Sequence, residues 1–138
     1  MKSRLLALVL AAVALALAGC STEAQCGTGA SSPQRAATEL VAAALAGNQA
    51  EVCKLTSPGG PEEVAAEFGR LTAELKSAGA DRDFTLKQVP GSEKGRWSKL
   101  ELSGPGPGSP LSFDVFRNGE NYTIGWLEYR QLPLPSAT

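Results

Sequence analysis

The chain has 138 residues, a formal net charge of −1 from 13 basic and 14 acidic side chains, and no histidine. This length corresponds to one domain with a sizeable core, and the dispersed, slightly acidic charge does not fit a nucleic-acid-binding protein, which would need a clustered basic face. The absence of histidine removes the commonest general base and excludes Ser-His-Asp and Cys-His nucleophiles in their standard form.

The first 17 residues have the features of an export signal. A basic start at residues 1–4 precedes Leu5 to Leu17, an unbroken run of 13 Leu, Ala and Val residues. A membrane-spanning helix needs roughly 20 apolar residues, whereas the core of a signal peptide needs about 7–15. The run therefore predicts a signal peptide, residues 1–19, that is removed.

The segment Leu17-Ala18-Gly19-Cys20 resembles the lipobox of bacterial lipoproteins, in which an aliphatic residue and two small residues precede a cysteine. The resemblance implies cleavage after Gly19, a diacylglyceryl group on Cys20 and a lipidated new N-terminus. Two or more acyl chains give stable membrane anchoring. We therefore expect the protein on the extracytoplasmic face of the cell membrane, with the membrane as its partner through Cys20. The alternative is an ordinary signal peptide followed by a chance cysteine.

Cleavage would leave 119 residues and two further cysteines, Cys26 and Cys53. An even pair in an exported protein indicates a disulfide, which would stabilise the fold by about 3–4 kcal/mol in the chain-entropy model. Two free thiols are the alternative, and no metal site is expected. Residues 20–32 are small and polar and are predicted to form a lipidated tether whose flexible part ends at the disulfide.

Three helices are predicted, over residues 31–47, 48–58 and 61–79. Proline suits the first helical position, which Pro33 takes in the first helix, and apolar residues then recur with helical spacing. In the third helix, Gly69 costs about 1 kcal/mol relative to alanine and is expected to mark a close packing contact.

After the helices the hydrophobic pattern changes to alternation, which predicts strands. The segment Gly104–Gly108 alternates glycine and proline and is predicted to be an irregular loop. Its prolines lack backbone donors, so it does not fit a phosphate-binding loop. The predicted strands are residues 84–89, 96–103, 111–117 and 121–129.

The last two strands can be aligned from their turn. Asn118-Gly119 predicts a two-residue type I′ turn, which sets Arg117 opposite Glu120. The following pairs are then Val115 with Tyr122, Phe113 with Ile124, and Leu111 with Trp126. Directly opposed residues share a face of the sheet, so this apolar face is predicted to lie on the core. Asp114 and Thr123 are predicted to lie on the opposite, mostly polar face.

Helices followed by an antiparallel meander predict an α+β fold, with about three N-terminal helices packed on a curved four-stranded antiparallel sheet. The domain is expected over residues 33–130, followed by a C-terminal tail, residues 131–138. The Ala-rich first helix, Gly47-Asn48 and the segment Val52-Cys53-Lys54-Leu55-Thr56-Ser57-Pro58 resemble small actinobacterial lipoproteins. Their domains resemble the NTF2-like (cystatin-like) superfamily, which implies a pocket between helices and sheet but carries over no functional residue.

Candidate pocket-lining residues are aromatic or leucine side chains of the third helix and the last two strands; the alternative is that they fill the core. They are Phe68, Leu71, Phe113, Tyr122 and Trp126. Asp81, Asp83 and Asp114 are candidate carboxylate bases, or else solvated acids.

We expect a non-enzymatic binding or interaction domain for an unknown protein or small-molecule ligand. No catalytic residue, cofactor or metal ligand is assigned. The alternatives are a small-molecule binder or carboxylate-based enzyme that uses an NTF2-like cavity, and a structural envelope protein.

Overall fold

The structure is a computed structural model that describes residues 26–127 of the chain. The predicted signal peptide, the lipid site at Cys20 and the C-terminal tail lie outside these residues. So do the first part of the tether and residues 128–129 of the predicted last strand. Within the described residues this strand ends at Gly125, so its predicted continuation through Trp126 and Leu127 is wrong.

Three helices occupy the N-terminal half of the described chain, and each begins where the sequence provides a cap or a proline. Helix α1, Pro33–Leu45, is capped by the hydroxyl of Ser32, which accepts from the Arg35 amide at 3.1 Å. Helix α2, Gln49–Leu55, is capped by Asn48, whose side chain accepts from the Glu51 amide at 3.1 Å. Helix α3, Pro61–Ser77, begins with a proline followed by two glutamates. No helix within residues 26–127 is long and apolar enough to cross a membrane.

Four strands form one antiparallel sheet that is not closed, in the order β1-β2-β3-β4. Their bounds are β1, Thr85–Gln88; β2, Trp97–Ser103; β3, Leu111–Asn118; and β4, Asn121–Gly125. The helices pack on one face of this sheet, mainly through α1 and α2 against β4. The predicted α+β fold with N-terminal helices is confirmed.

The core lies between the helices and this face of the sheet. Leu40 of α1, Leu100 of β2 and Ile124 of β4 are fully buried there. Gly69 of α3 is exposed and has no atom within 4 Å of where a Cβ would stand, so the expected close packing contact is wrong.

The predicted register of the last hairpin is wrong by two residues. Asn118 pairs with Asn121 and Arg117 with Tyr122, so the loop is Gly119-Glu120. A type I′ turn needs positive φ at both central residues, including Asn118 in the predicted alignment, whereas every described residue with positive φ is a glycine. Gly119, with φ of 66°, alone supplies the positive φ, as in a type II′ turn.

A shift of two residues preserves the alternation of faces, so the predicted inward residues remain inward. The four side chains predicted to point inward are all buried: Phe113, Val115, Ile124 and Trp126. Asp114 and Thr123 lie on the opposite face, as predicted, but both are buried rather than solvated. Side chains of the same face explain part of this burial. The Trp97 indole N–H donates to the Asp114 carboxylate. The Phe116 ring lies over Gly125, the register partner of Asp114, so closely that a Cβ at Gly125 would stand 2.6 Å from the ring.

Two other segments cover the free edge of β4. Ala30 forms an antiparallel bridge with Tyr122, with N–O distances of 2.9 and 2.8 Å in the two directions. Further along, the Ser57 amide donates to the Ile124 carbonyl at 3.2 Å. An exposed strand edge invites pairing with other chains, and here the chain itself occupies the edge.

The predicted disulfide is confirmed. Cys26 and Cys53 are bonded, with their Cα atoms 4.4 Å apart. Next to the bond, the Gly27 amide donates to the Cys53 carbonyl at 3.1 Å and the Gly29 amide to the Lys54 carbonyl at 2.8 Å. The described end of the predicted tether, residues 26–30, thus lies along α2 and the edge of β4.

Candidate functional site

The interior between α3 and the sheet is almost filled. Leu71 of α3, Phe113 of β3 and Trp126 meet around a cleft of about 40 Å³. Small-molecule sites usually have volumes of about 300–1,000 Å³. This cleft is large enough for one or two water molecules and too small for an organic ligand.

Polar contacts hold the interior closed at Trp126. Its indole N–H donates to the Thr56 hydroxyl at 2.9 Å, and that hydroxyl donates to the Val52 carbonyl at 2.6 Å. On the other side, the guanidinium of Arg70 lies 5.9 Å from the centre of the Trp126 ring and forms ion pairs with Glu67 and Glu74. Opening this region would break a buried hydrogen-bond chain and move a cation from an aromatic ring.

The five predicted lining residues therefore do not surround one cavity. Leu71, Phe113 and Trp126 come together around the small cleft. Phe68 is partly buried against the edge of the core. Tyr122 lies elsewhere, in the wall of a larger cleft.

The larger cleft has a volume of about 250 Å³ and lies between the start of α1, the loop before β2 and strands β3 and β4. Pro33, at the start of α1, forms one side. Val115 and Tyr122, from β3 and β4, line it from the sheet, and Glu93 and Arg96 contribute from the loop before β2. The remaining lining residues are Gln88, Gly95, Trp97, Ser98 and Arg117.

A cross-strand row of polar side chains marks this cleft. The Arg117 amide donates to the Arg96 carbonyl at 2.7 Å, so the two arginines are neighbours on adjacent strands. Arg117 is in turn the register partner of Tyr122. Opposed residues in a sheet project to the same side, so the two guanidinium groups and the phenol project from one face.

The loop that carries Glu93 and Arg96 is fixed by its own hydrogen bonds. The Ser92 hydroxyl donates to the Val89 carbonyl at 2.6 Å and accepts from the Lys99 amide at 3.1 Å. Lys94 and Trp97 exchange two backbone hydrogen bonds of 2.8 and 3.1 Å. This side of the cleft is thus preorganised.

The sequence patterns identified Tyr122 but none of the other polar residues of this cleft. The signal that could have found them is the alignment of β2 with β3, which places Arg96 opposite Arg117. The type I′ alignment hid it, because it gave Arg117 an apparent partner in Glu120.

Asp114 forms a second polar cluster, on the face of the sheet away from the helices. Its carboxylate accepts from the Trp97 indole N–H at 3.1 Å and is the register partner of Lys99. The Lys99 ammonium lies 5.5 Å from the centre of the Trp97 ring. Burial raises the pKa of Asp114, and the charge of Lys99 and the hydrogen bond from Trp97 oppose that rise.

The candidate bases do not share a site. Asp114 lines neither of the two clefts described above. Asp81 and Asp83 are exposed, and the Asp83 carboxylate accepts from the amide of its neighbour Phe84 at 2.9 Å. Within the part of the chain that the structure describes, no three His, Cys, Asp or Glu residues are grouped so that they could hold a metal ion.

No known protein family, characterised protein or solved structure matches this chain.

Proposed function

We propose that this protein is a lipid-anchored domain of the bacterial cell envelope that acts by binding a ligand rather than by catalysis. The observation that carries the non-catalytic part of the proposal is the closed interior: Leu71, Phe113 and Trp126 leave only about 40 Å³ between α3 and the sheet, where the resemblance to NTF2-like domains implies a pocket. The resemblance to small actinobacterial lipoproteins with such domains is part of the proposal, as is localisation on the extracytoplasmic face.

The arrangement of carboxylates favours binding over catalysis. A carboxylate base must reach its substrate within hydrogen-bond distance. Asp114 is the candidate base with a raised pKa, and it is held by Trp97 on the face away from the helices. The alternative of a carboxylate-based enzyme with a cone cavity needs a base inside the space between α3 and the sheet, and the candidate bases Asp81, Asp83 and Asp114 do not line the small cleft there.

The disulfide supports export and sets the distance from the membrane. Disulfides persist in oxidising compartments such as the cell surface. From Cys20 to Cys26 the chain has six residue steps, which span at most about 20 Å. With lipid on Cys20, the domain would lie close to the lipid headgroups.

Membrane fractionation with intact-mass measurement in a lipoprotein-processing host tests the anchor. The wild-type protein should be found in the membrane fraction, with the mass of a chain that begins at a lipidated Cys20. A Cys20→Ser variant should lose the lipid, because serine lacks the thiol that forms the thioether, while Ser21→Ala should behave as wild type. A mass that matches unmodified Cys20 would contradict the anchor.

The non-enzymatic part of the proposal has its own test. If the wild-type protein converts a substrate and an Asp114→Asn variant with an intact fold does not, the non-enzymatic proposal is contradicted and the carboxylate-based enzyme is favoured. The fold of the variant is checked by the disulfide and by a native-like amide spectrum.

A further inference from the structure

Two arginines lie side by side in the larger cleft without an ion-pair partner among the described residues. Arg96 and Arg117 are cross-strand neighbours in the wall of the 250 Å³ cleft. The ion pairs among the described residues involve neither of them. The Arg117 Nε donates to the Gly119 carbonyl at 3.1 Å, which orients this side chain along the hairpin.

Like charges directly opposite each other destabilise a sheet. Two exposed guanidinium groups in this position therefore do not serve the stability of the fold. An anion between them would relieve the repulsion, and guanidinium groups form paired hydrogen bonds with carboxylate and phosphate oxygens.

The rest of the cleft suits a compact anion. The lining includes Tyr122 and Ser98, which carry hydroxyl groups, and the apolar residues Val115 and Pro33. Glu93 is the acidic residue in the lining, and its carboxylate accepts a hydrogen bond from the Gln88 side chain. The lining thus has two positive charges against one negative charge.

We propose that this cleft binds a compact anion, a carboxylate or phosphate group, between Arg96 and Arg117. This deepens the proposed binding role and rests on it. The volume of about 250 Å³ is just below the usual range for small-molecule sites, so the site would take a small anion or the charged end of a larger molecule. A free anion and the headgroup of an anionic lipid share this chemistry.

Amide NMR of the mature, membrane-derived protein in nonionic detergent tests the site. The probes are inorganic phosphate, acetate and a short-chain phosphatidylglycerol, each titrated at constant ionic strength. We expect saturable shifts at Gln88, at residues 93–98, at residues 115–117 and at Tyr122. Arg96→Gln and Arg117→Gln should each weaken the affinity about tenfold, since a charged hydrogen-bonding group is lost.

Arg82→Gln is the matched control, because Arg82 is an exposed arginine that does not line the cleft. It should leave the affinity unchanged. Tighter binding of the short-chain lipid than of phosphate and acetate would support the headgroup as the source, and the reverse order would support a free anion.

Shifts that do not saturate, or equal affinities in the wild type and an Arg96→Gln, Arg117→Gln double variant, would overturn the proposed site. Membrane fractionation of the same cells, before detergent is added, reports the anchor independently. Loss of the anion site would therefore not be confused with failure of the proposed localisation.

Discussion

Two buried threonines, one under the helices and one on the opposite face of the sheet, differ in whether their hydroxyl groups have partners. Thr56 accepts from the Trp126 indole at 2.9 Å and donates to the Val52 carbonyl at 2.6 Å. The Thr123 hydroxyl is buried without a hydrogen-bond partner among the described residues. A buried polar group lowers the stability of the folded protein when it has no hydrogen-bond partner and raises that stability when it has one.

The same substitution should therefore have opposite effects at the two positions. Thr123→Val should raise the free energy of unfolding by about 1 kcal/mol, because it removes an unpaired hydroxyl and preserves the β-branched shape. Thr56→Val should lower it by about 1–3 kcal/mol, because the Trp126 N–H would remain buried without an acceptor. Urea unfolding followed by tryptophan fluorescence measures both changes, and a change of the same sign in both variants would contradict this account.

Asp114 should make stability depend on pH. Its pKa in the folded protein is raised above the ordinary value of 3.8, first of all by burial. The folded state then binds the proton more tightly than the unfolded state, so stability falls as pH rises from about 3.8 through the folded pKa, and the full penalty applies above it.

An Asp114→Asn variant removes this titration and still offers an oxygen to the Trp97 indole. Its stability relative to wild type should rise with pH across that window and then remain constant. Urea unfolding at a series of pH values measures the difference. Thr123→Val, on the same face, is the comparison, because it should shift stability by a constant amount. A flat difference for Asp114→Asn would show that burial of this carboxyl has no net cost.

At the scale of elements, the glycine-proline loop acts as a cap for α3. The Gly106 amide donates to the Ala78 carbonyl at 2.9 Å, and the Gly108 amide donates to the Ser77 carbonyl at 3.0 Å. The last carbonyls of a helix have no partners within the helix. The prolines remove alternate donors from the loop, and these two glycine donors satisfy the end of α3.

A methyl group at Gly106 would overlap the Ser77 carbonyl oxygen. Gly106→Ala should therefore destabilise the protein by about 1–3 kcal/mol, the usual cost of overpacking. Gly69→Ala is the matched control, since nothing lies within 4 Å of its Cβ position and alanine favours the helix; it should stabilise by about 1 kcal/mol. Thermal unfolding checks both, and a neutral Gly106→Ala would mean that the loop moves away without cost.

The elements themselves could be predicted because their signals are local. The start of the first helix follows from Pro33 at the first helical position, and the inward residues of β3 and β4 follow from alternation. The hairpin register could not be fixed, because Gly119 fits both the second central position of a type I′ turn after Asn118 and the first central position of a type II′ turn before Glu120. The cleft and the role of Gly106 depend on contacts between segments far apart in sequence, which local patterns do not encode.

At the scale of the whole molecule, the N-terminal segment joins the proposed anchor to the sheet. The disulfide fixes Cys26 to α2, and four residues later Ala30 exchanges two hydrogen bonds with Tyr122 on the edge of β4. Pro33, three residues further, lines the cleft that also contains Tyr122. One continuous segment therefore connects the end of the chain that would carry the proposed anchor with the candidate binding site.

Reduction of the disulfide should loosen this segment before the rest of the fold. The bond closes a loop with a sequence separation of 27, which corresponds to about 3–4 kcal/mol in the chain-entropy model. Without it, the short segment 26–30 must remain docked through a few backbone hydrogen bonds, so the amides of Ala30 and Tyr122 should lose protection against hydrogen exchange. The amides that form hydrogen bonds between β2 and β3 are the internal control, because their hydrogen exchange should require unfolding of a larger part of the domain. A Cys26→Ser, Cys53→Ser double variant should reproduce the effect without a reductant, and unchanged protection of Ala30 in that variant would show that the docking does not depend on the disulfide.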